Sequence, residues 1–137
     1  MALKASMRIL LVDPNSNIRM ATRQMFNKIG FKNIKECDGA ESAIKMLESA
    51  VSENENFEFI VLEWDLPKMS GLDFIKHLRA DEHYANVPML LATGDAEQNT
   101  IVSAAKAGVN NFMVKPFSLN MVQEKIGAIF NKKKKSA

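Results

Sequence analysis

The chain has 137 residues, 47% apolar and 25% charged, the size and composition of one compact domain with a real core. Its formal charge of +2 hides an asymmetry: four of the 18 Lys and Arg residues form a run at 132–135, so the rest, set against 16 Asp and Glu, carries −2. No basic face interleaved with aromatics is present, which argues against nucleic-acid binding. Apolar runs of four or five residues fall far short of the ~20 needed to span a bilayer, and no apolar signal segment follows Met1, so no membrane association is expected. The single cysteine, Cys37, has no internal disulfide partner; the expectation is a cytoplasmic, reducing setting.

Residues 8–12, with Ile9, Leu10, Leu11 and Val12 in succession, predict a first strand buried on both faces and ending in Asp13 and Pro14. Asn15 and Ser16 are helix-capping types, and Ile18, Ala21, Thr22, Met25, Phe26 and Ile29 recur at helical spacing until Gly30. A weaker strand follows at 33–36. After the Asp38-Gly39 turn, a helix carries Ala40, Ala43, Ile44, Leu47 and Val51 on one side, and residues 52–56 form a polar loop. Phe59, Ile60, Val61 and Leu62 form a third strand that runs into Glu63-Trp64-Asp65-Leu66-Pro67 and the loop Lys68-Met69-Ser70-Gly71. Leu72, Phe74, Ile75 and Leu78 mark a helix ending near Asp81-Glu82. A strand at 89–92 then ends in Thr93-Gly94-Asp95. An alanine-rich helix around Ile101, Ala104 and Ala105 stops at Gly108, a strand at 111–114 ends in Lys115-Pro116-Phe117, and a last helix with Leu119, Val122, Ile126, Ile129 and Phe130 inward dissolves into the lysines.

Five strands alternating with five helices predict an α/β fold: a three-layer, doubly wound (βα)5 sandwich around a parallel five-stranded sheet. In such sheets ligands sit at the carboxyl ends of the strands. The residues there are Asp13, Glu63, Thr93 and Lys115, so two acids, a hydroxyl and an ammonium converge from four apolar strands. A packing core has no need of that coincidence.

These four residues, together with Leu66-Pro67-Lys68-Met69-Ser70-Gly71-Leu72, Thr93-Gly94, Ala107-Gly108 and Lys115-Pro116-Phe117, resemble the response-regulator receiver family, most closely its single-domain, chemotaxis-type CheY-like members. The resemblance runs from about Met7 to Phe130. It implies a flavodoxin-like, CheY-like sheet order of 2-1-3-4-5. It also divides the chain into an N-terminal extension at 1–7, a receiver domain at 8–131 and a basic tail at 132–137. The function implied is two-component signal transduction. A histidine kinase would act upstream, and a downstream signalling or motor protein would be bound through the face made by the fourth helix, fifth strand and fifth helix. The chain is expected to be a monomer and not an enzyme.

In that family an acidic pair follows the first strand, a phosphoacceptor aspartate the third, a Thr or Ser the fourth and a Lys the fifth, with Mg2+ joining the acids to the phosphoryl group. Asp13, Thr93 and Lys115 match. Pro14 stands where the second acid belongs, and Glu63 where the acceptor aspartate belongs. Proline supplies no carboxylate, which leaves Asp13, Glu63 and, through its main-chain carbonyl with the side chain adding charge, Asp65 as the metal ligands the resemblance implies, and Mg2+ binding weak or lost. Glu63 carries its carboxylate ~1.5 Å farther out than an aspartate would. A nucleophile misplaced by about 1 Å loses on the order of a hundredfold in rate, so phosphoryl transfer is expected to suffer. The same shift puts negative charge where an aspartyl phosphate would carry it, in reach of Thr93 and Lys115, so Glu63 is expected to act as a phosphomimic.

Phe112 matches the family's switch aromatic on the fifth strand and is expected to be buried, a gain of ~1.5–3 kcal/mol for a phenyl ring. Trp64 is expected at the rim of the site, His77 and His83 toward solvent, and Met20, Met25, Met46, Met89 and Met121 as core filler. Two alternatives stay open here. One is a conventional receiver whose acceptor aspartate was changed to Glu63 by engineering. The other is a phosphatase of haloacid-dehalogenase type, suggested by the acids Glu63 and Asp65 two residues apart.

Overall fold

The computed structural model of the protein describes residues 4–135. The strands are β1 (Ile9–Val12), β2 (Ile34–Cys37), β3 (Phe59–Leu62), β4 (Met89–Thr93) and β5 (Asn111–Val114). The helices are α1 (Ser16–Ile29), α2 (Ala40–Ser52), α3 (Gly71–Arg79), α4 (Gln98–Ala107) and α5 (Leu119–Lys135). All strand pairs are parallel, in the order β2-β1-β3-β4-β5. The predicted three-layer α/β architecture is therefore present, with the strand order that the family resemblance implies.

The period of two along each strand divides the core. Leu10, Val12, Ile60, Leu62, Met89 and Leu91 pack under α2, α3 and α4 with Leu47, Phe74, Ile75, Leu78 and Ala104. Ile9, Leu11, Phe59, Val61, Leu90 and Ala92 pack under α1 and α5 with Phe26, Val122, Ile126 and Phe130. Phe59 joins the two helices of that second layer: its ring meets Phe130 edge-on at 5.5 Å and lies 6.2 Å from Phe26. Burial on both faces explains why β1, β3 and β4 read as unbroken apolar runs.

Local chemistry sets the helix ends. Asn15 caps α1 by accepting from the Ile18 N–H at 3.1 Å, and Gly30, at φ 123°, ends it. Ser70 caps α3 by accepting from the Asp73 N–H. That helix ends at Arg79, before the expected Asp81-Glu82, because the Asp81 carboxylate accepts from the His83 N–H and turns the chain. Arg79 fastens this end of the molecule. Its guanidinium donates to the carbonyls of Gly108, Tyr84 and Ala85, joining the ends of α3 and α4.

Several expectations are corrected. Part of the N-terminal extension belongs to the fold: Met7 is core, and the Ala5 carbonyl accepts from the Lys32 N–H. Helix α5 continues through Lys135, since lysine is a good helix former and positive charge suits a helix C-terminus. Residues 1–3 of the expected extension and 136–137 of the expected tail lie outside the described residues. Met89 is fully buried, and Met25 and Met46 pack at the core margins. Met20 at 57% and Met121 at 37% exposure are not core filler; unbranched methionine fits either side of an amphipathic boundary. Ala21 is likewise exposed. Cys37 is buried, which pushes its thiol up to about 12 and leaves it inert.

Candidate functional site

The parallel ladders run one residue past the ends of three strands. The Asp13 N–H donates to the Cys37 carbonyl, the Glu63 N–H to Val12 at 2.9 Å, and the Lys115 N–H to Thr93 at 2.8 Å. Asp13, Glu63, Thr93 and Lys115 thus leave one edge of one sheet and meet. The Lys115 ammonium donates to Asp13 Oδ2 and to Glu63 Oε1, each at 2.6 Å. These are short, charge-assisted bonds. All three side chains are largely buried, that of Lys115 being 15% exposed.

The remaining carboxylate oxygens are also taken. Asp13 Oδ1 accepts from the Asn15 N–H at 2.8 Å, and Glu63 Oε2 from the Asp65 N–H at 3.1 Å. Thr93 is 0% exposed, and its hydroxyl lies beside Glu63 while accepting from the Asp95 N–H. Burial pushes the Glu63 carboxyl up, yet the hydrogen bonds from Lys115 and the Asp65 N–H, with the Thr93 hydroxyl alongside, outweigh it and hold the group below its ordinary range. Burial likewise lowers Lys115, and the hydrogen bonds and charges of Asp13 and Glu63 overcome that and raise it. The two shifts agree: Glu63 is a carboxylate paired with the Lys115 ammonium.

The loop after Glu63 is tightly folded. The Gly71 N–H donates to the Trp64 carbonyl at 2.9 Å, and a Cβ at Gly71 would lie 2.6 Å from that oxygen. Only glycine fits this approach. Lys68 adopts φ 66°, and the Lys115–Pro116 peptide bond on the other side of the site is cis.

The Asp65 side chain is exposed and does not join the cluster, while its N–H donates to Glu63 Oε2. Trp64 is half-exposed at the rim and His77 and His83 are exposed, as expected, with His83 paired to Asp81. Phe112 is half-buried, short of the burial expected. It lies on edge strand β5, where the Lys125 ammonium covers its ring 5.2 Å from the centroid, a cation–π contact. Sequence reasoning missed Arg19, which donates to the Asp13 carbonyl and pairs with Glu36 at 3.2 Å, where Arg23 joins it. The signal was available: α1 carries basic residues one turn apart, and the single acid of β2 faces them.

The Mg2+ implied by the family resemblance is tested by the donor set. That ion needs near-octahedral oxygen ligands at 2.0–2.1 Å. Pro14 offers no side-chain oxygen, and the Lys115 ammonium already bridges the Asp13 and Glu63 carboxylates that the ion would have to share. Among the described residues, no three acids, histidines or cysteines gather to hold a metal. The residues present do not fit the ion.

Comparison with known proteins agrees with this geometry. The family model for the response regulator receiver domain matches residues 9–127. The chemotaxis protein CheY of Pseudomonas aeruginosa is 39% identical over 126 residues, covering 92% of this chain and 98% of that protein. CheY-3 of Vibrio cholerae is 37% identical over 130 residues, covering 95% and 96%. Among solved structures, a CheY-like receiver domain protein from Methanospirillum hungatei superposes with a TM-score of 0.80 at 23% identity, covering 96% of this chain and 99% of that one. The chemotaxis response regulator CheY4 of Vibrio cholerae gives 0.77 at 20% identity, covering 90% and 98%. CheY-like receivers are generally non-enzymatic signalling modules of two-component systems; they interact with histidine kinases and with motor or signalling proteins, and generally bind Mg2+ at the phosphorylation site. No helix among the described residues is long and apolar enough to cross a membrane. With the four strand-end residues converging on one site and the family model spanning residues 9–127, this chain belongs to the response regulator receiver family.

Proposed function

We propose that this receiver is an atypical, chemotaxis-type module whose site holds a signalling state and does not cycle through phosphorylation. One observation carries the reading: Glu63 Oε1 lies 2.6 Å from the Lys115 ammonium, with the buried Thr93 hydroxyl alongside. A carboxylate one methylene longer than aspartate presents its charge to the two groups that would otherwise receive a phosphoryl oxygen. Pro14 adds to the case, because losing an acidic metal ligand weakens Mg2+ binding and, with it, neutralisation of an incoming phosphoryl group.

In this reading the output is binding of a signalling or motor protein through α4, β5 and α5, by a cytoplasmic monomer without catalytic turnover. Val102 on α4, 41% exposed, and half-buried Phe112 supply apolar surface there. The phosphatase alternative loses ground, since the exposed Asp65 side chain is not aimed at the cluster. The test is incubation with acetyl phosphate and Mg2+. No acid-stable, base-labile label is expected, and stoichiometric labelling of Glu63 overturns the reading. A second test follows backbone amides of α4 and β5 by NMR. Glu63→Gln, which removes the charge but keeps the length, is expected to shift them; unchanged spectra count against a phosphomimic.

A further inference from the structure

We infer that the Lys115 ammonium is the resident cation of this site, and that it and a divalent metal exclude one another. The inference rests on the receiver reading above and adds what balances the acidic charge.

Geometry comes first. The ammonium is 2.6 Å from Asp13 Oδ2 and from Glu63 Oε1, so one nitrogen bridges the two carboxylates that a metal would have to share. An Mg2+ ion seated at 2.0–2.1 Å from the same oxygens would lie against that nitrogen. Two cations so close in a largely buried site repel strongly, because the effective dielectric there is well below that of water. The other two oxygens are tied to the Asn15 and Asp65 N–H groups, so neither carboxylate can turn away from the ammonium without breaking the loop bond that holds it.

Charge leads to the same conclusion. Asp13 and Glu63 with Lys115 leave the cluster at −1. Adding Mg2+ would take it to +1, and one more carboxylate would be needed to hold both cations at neutrality. Position 14 is a proline and supplies none. Lys115 is also tethered, so it does not have to be captured from solution, whereas Mg2+ must shed water that it releases reluctantly. Among the described residues, no buried side-chain polar atom lacks a hydrogen-bond partner, so the cluster is complete without a metal.

The exclusion runs both ways, and that gives the test. Mn2+, which occupies the same oxygen sites and broadens nearby NMR signals, is titrated into the intact chain, Lys115→Met and Pro14→Asp, reading the amides of Asn15 and Asp65 and the thermal midpoint. The intact chain is expected to show no saturable broadening and no midpoint shift at millimolar metal. Lys115→Met is expected to bind Mn2+ at least about tenfold more tightly and to gain thermal stability when metal is added. Pro14→Asp, which supplies the missing charge and keeps Lys115, is expected to gain affinity as well, and it decides the matter if Lys115→Met does not fold. Saturable sub-millimolar binding by the intact chain overturns the inference, and so does failure of every folded variant to gain affinity. The state-holding reading fails separately. Metal binding without phosphorylation of Glu63 overturns this inference alone, and phosphorylation of a chain that excludes metal overturns the other.

Discussion

The carboxyl edge of the sheet and the face formed by α4, β5 and α5 share one scaffold but are held by opposite means. At the edge, Asp13, Glu63 and Thr93 are buried and Lys115 largely so, and each carboxylate oxygen has its own donor. At the face, α4 starts at Glu97 without a side-chain cap bond, buries only Ala104, and leaves Val102 exposed. Its attachments are at the two ends: the Asp95 carboxylate accepts from the Glu97 N–H and the Thr100 hydroxyl, and Arg79 grips the Gly108 carbonyl at 2.7 Å. Local stability follows the number of buried contacts and satisfied polar groups. The arrangement therefore pairs a stiff edge with a helix that is held at its ends and little buried between them.

The largest expected effect breaks the stiff side. Lys115→Met leaves two carboxylates facing each other without a cation; removing one partner of a buried ion pair costs about 3–5 kcal/mol, read as a lower midpoint in urea denaturation. Next comes the face. Phe112→Ala removes a half-buried ring and its cation–π partner, with an expected loss of about 2 kcal/mol, and α4 amides should exchange faster while those of β1 and β3 do not.

The pH dependence sharpens the contrast. Glu63 titrates below its ordinary 4.5 in the fold, so its contribution is fully present above that value and is lost as pH falls through the lowered one. Lys115 titrates above its ordinary 10.5, so its contribution is present below that value and is lost as pH rises through the raised one. Between these limits the site's contribution is flat, and denaturation midpoints of Glu63→Gln should show a shallower acid limb than those of the parent. Smallest is Val102→Ser: a surface change within about 0.5 kcal/mol, expected to leave the midpoint unchanged while weakening capture of whatever partner uses the face.

The edge was the more legible of the two regions. An apolar strand interrupted by one acid, hydroxyl or ammonium is a local pattern, and four such patterns in a row need only the sheet to bring them together. The face depends on distances that no window contains. Arg79 carries no signal of its own in the sequence, and its role appears only when Gly108, 29 residues on, is beside it. Phe112 read as a core aromatic because its neighbour Lys125 lies on a different element. Met20 and Met7 reversed their expected places for a similar reason: periodicity finds a helix's apolar stripe, but which margin of it is covered depends on what packs alongside.

Gly71 has a bearing on how a single methylene is felt in this protein. Its approach to the Trp64 carbonyl, where even a methyl group would collide at 2.6 Å, leaves the turn beneath the third strand no slack. That turn follows directly on position 63, whose longer acid extends forward until its Oε1 lies 2.6 Å from the Lys115 ammonium. Whether a lengthened acid in this fold becomes a harmless variation or a lasting change of state would then be decided by a residue with no side chain, eight positions further along the chain.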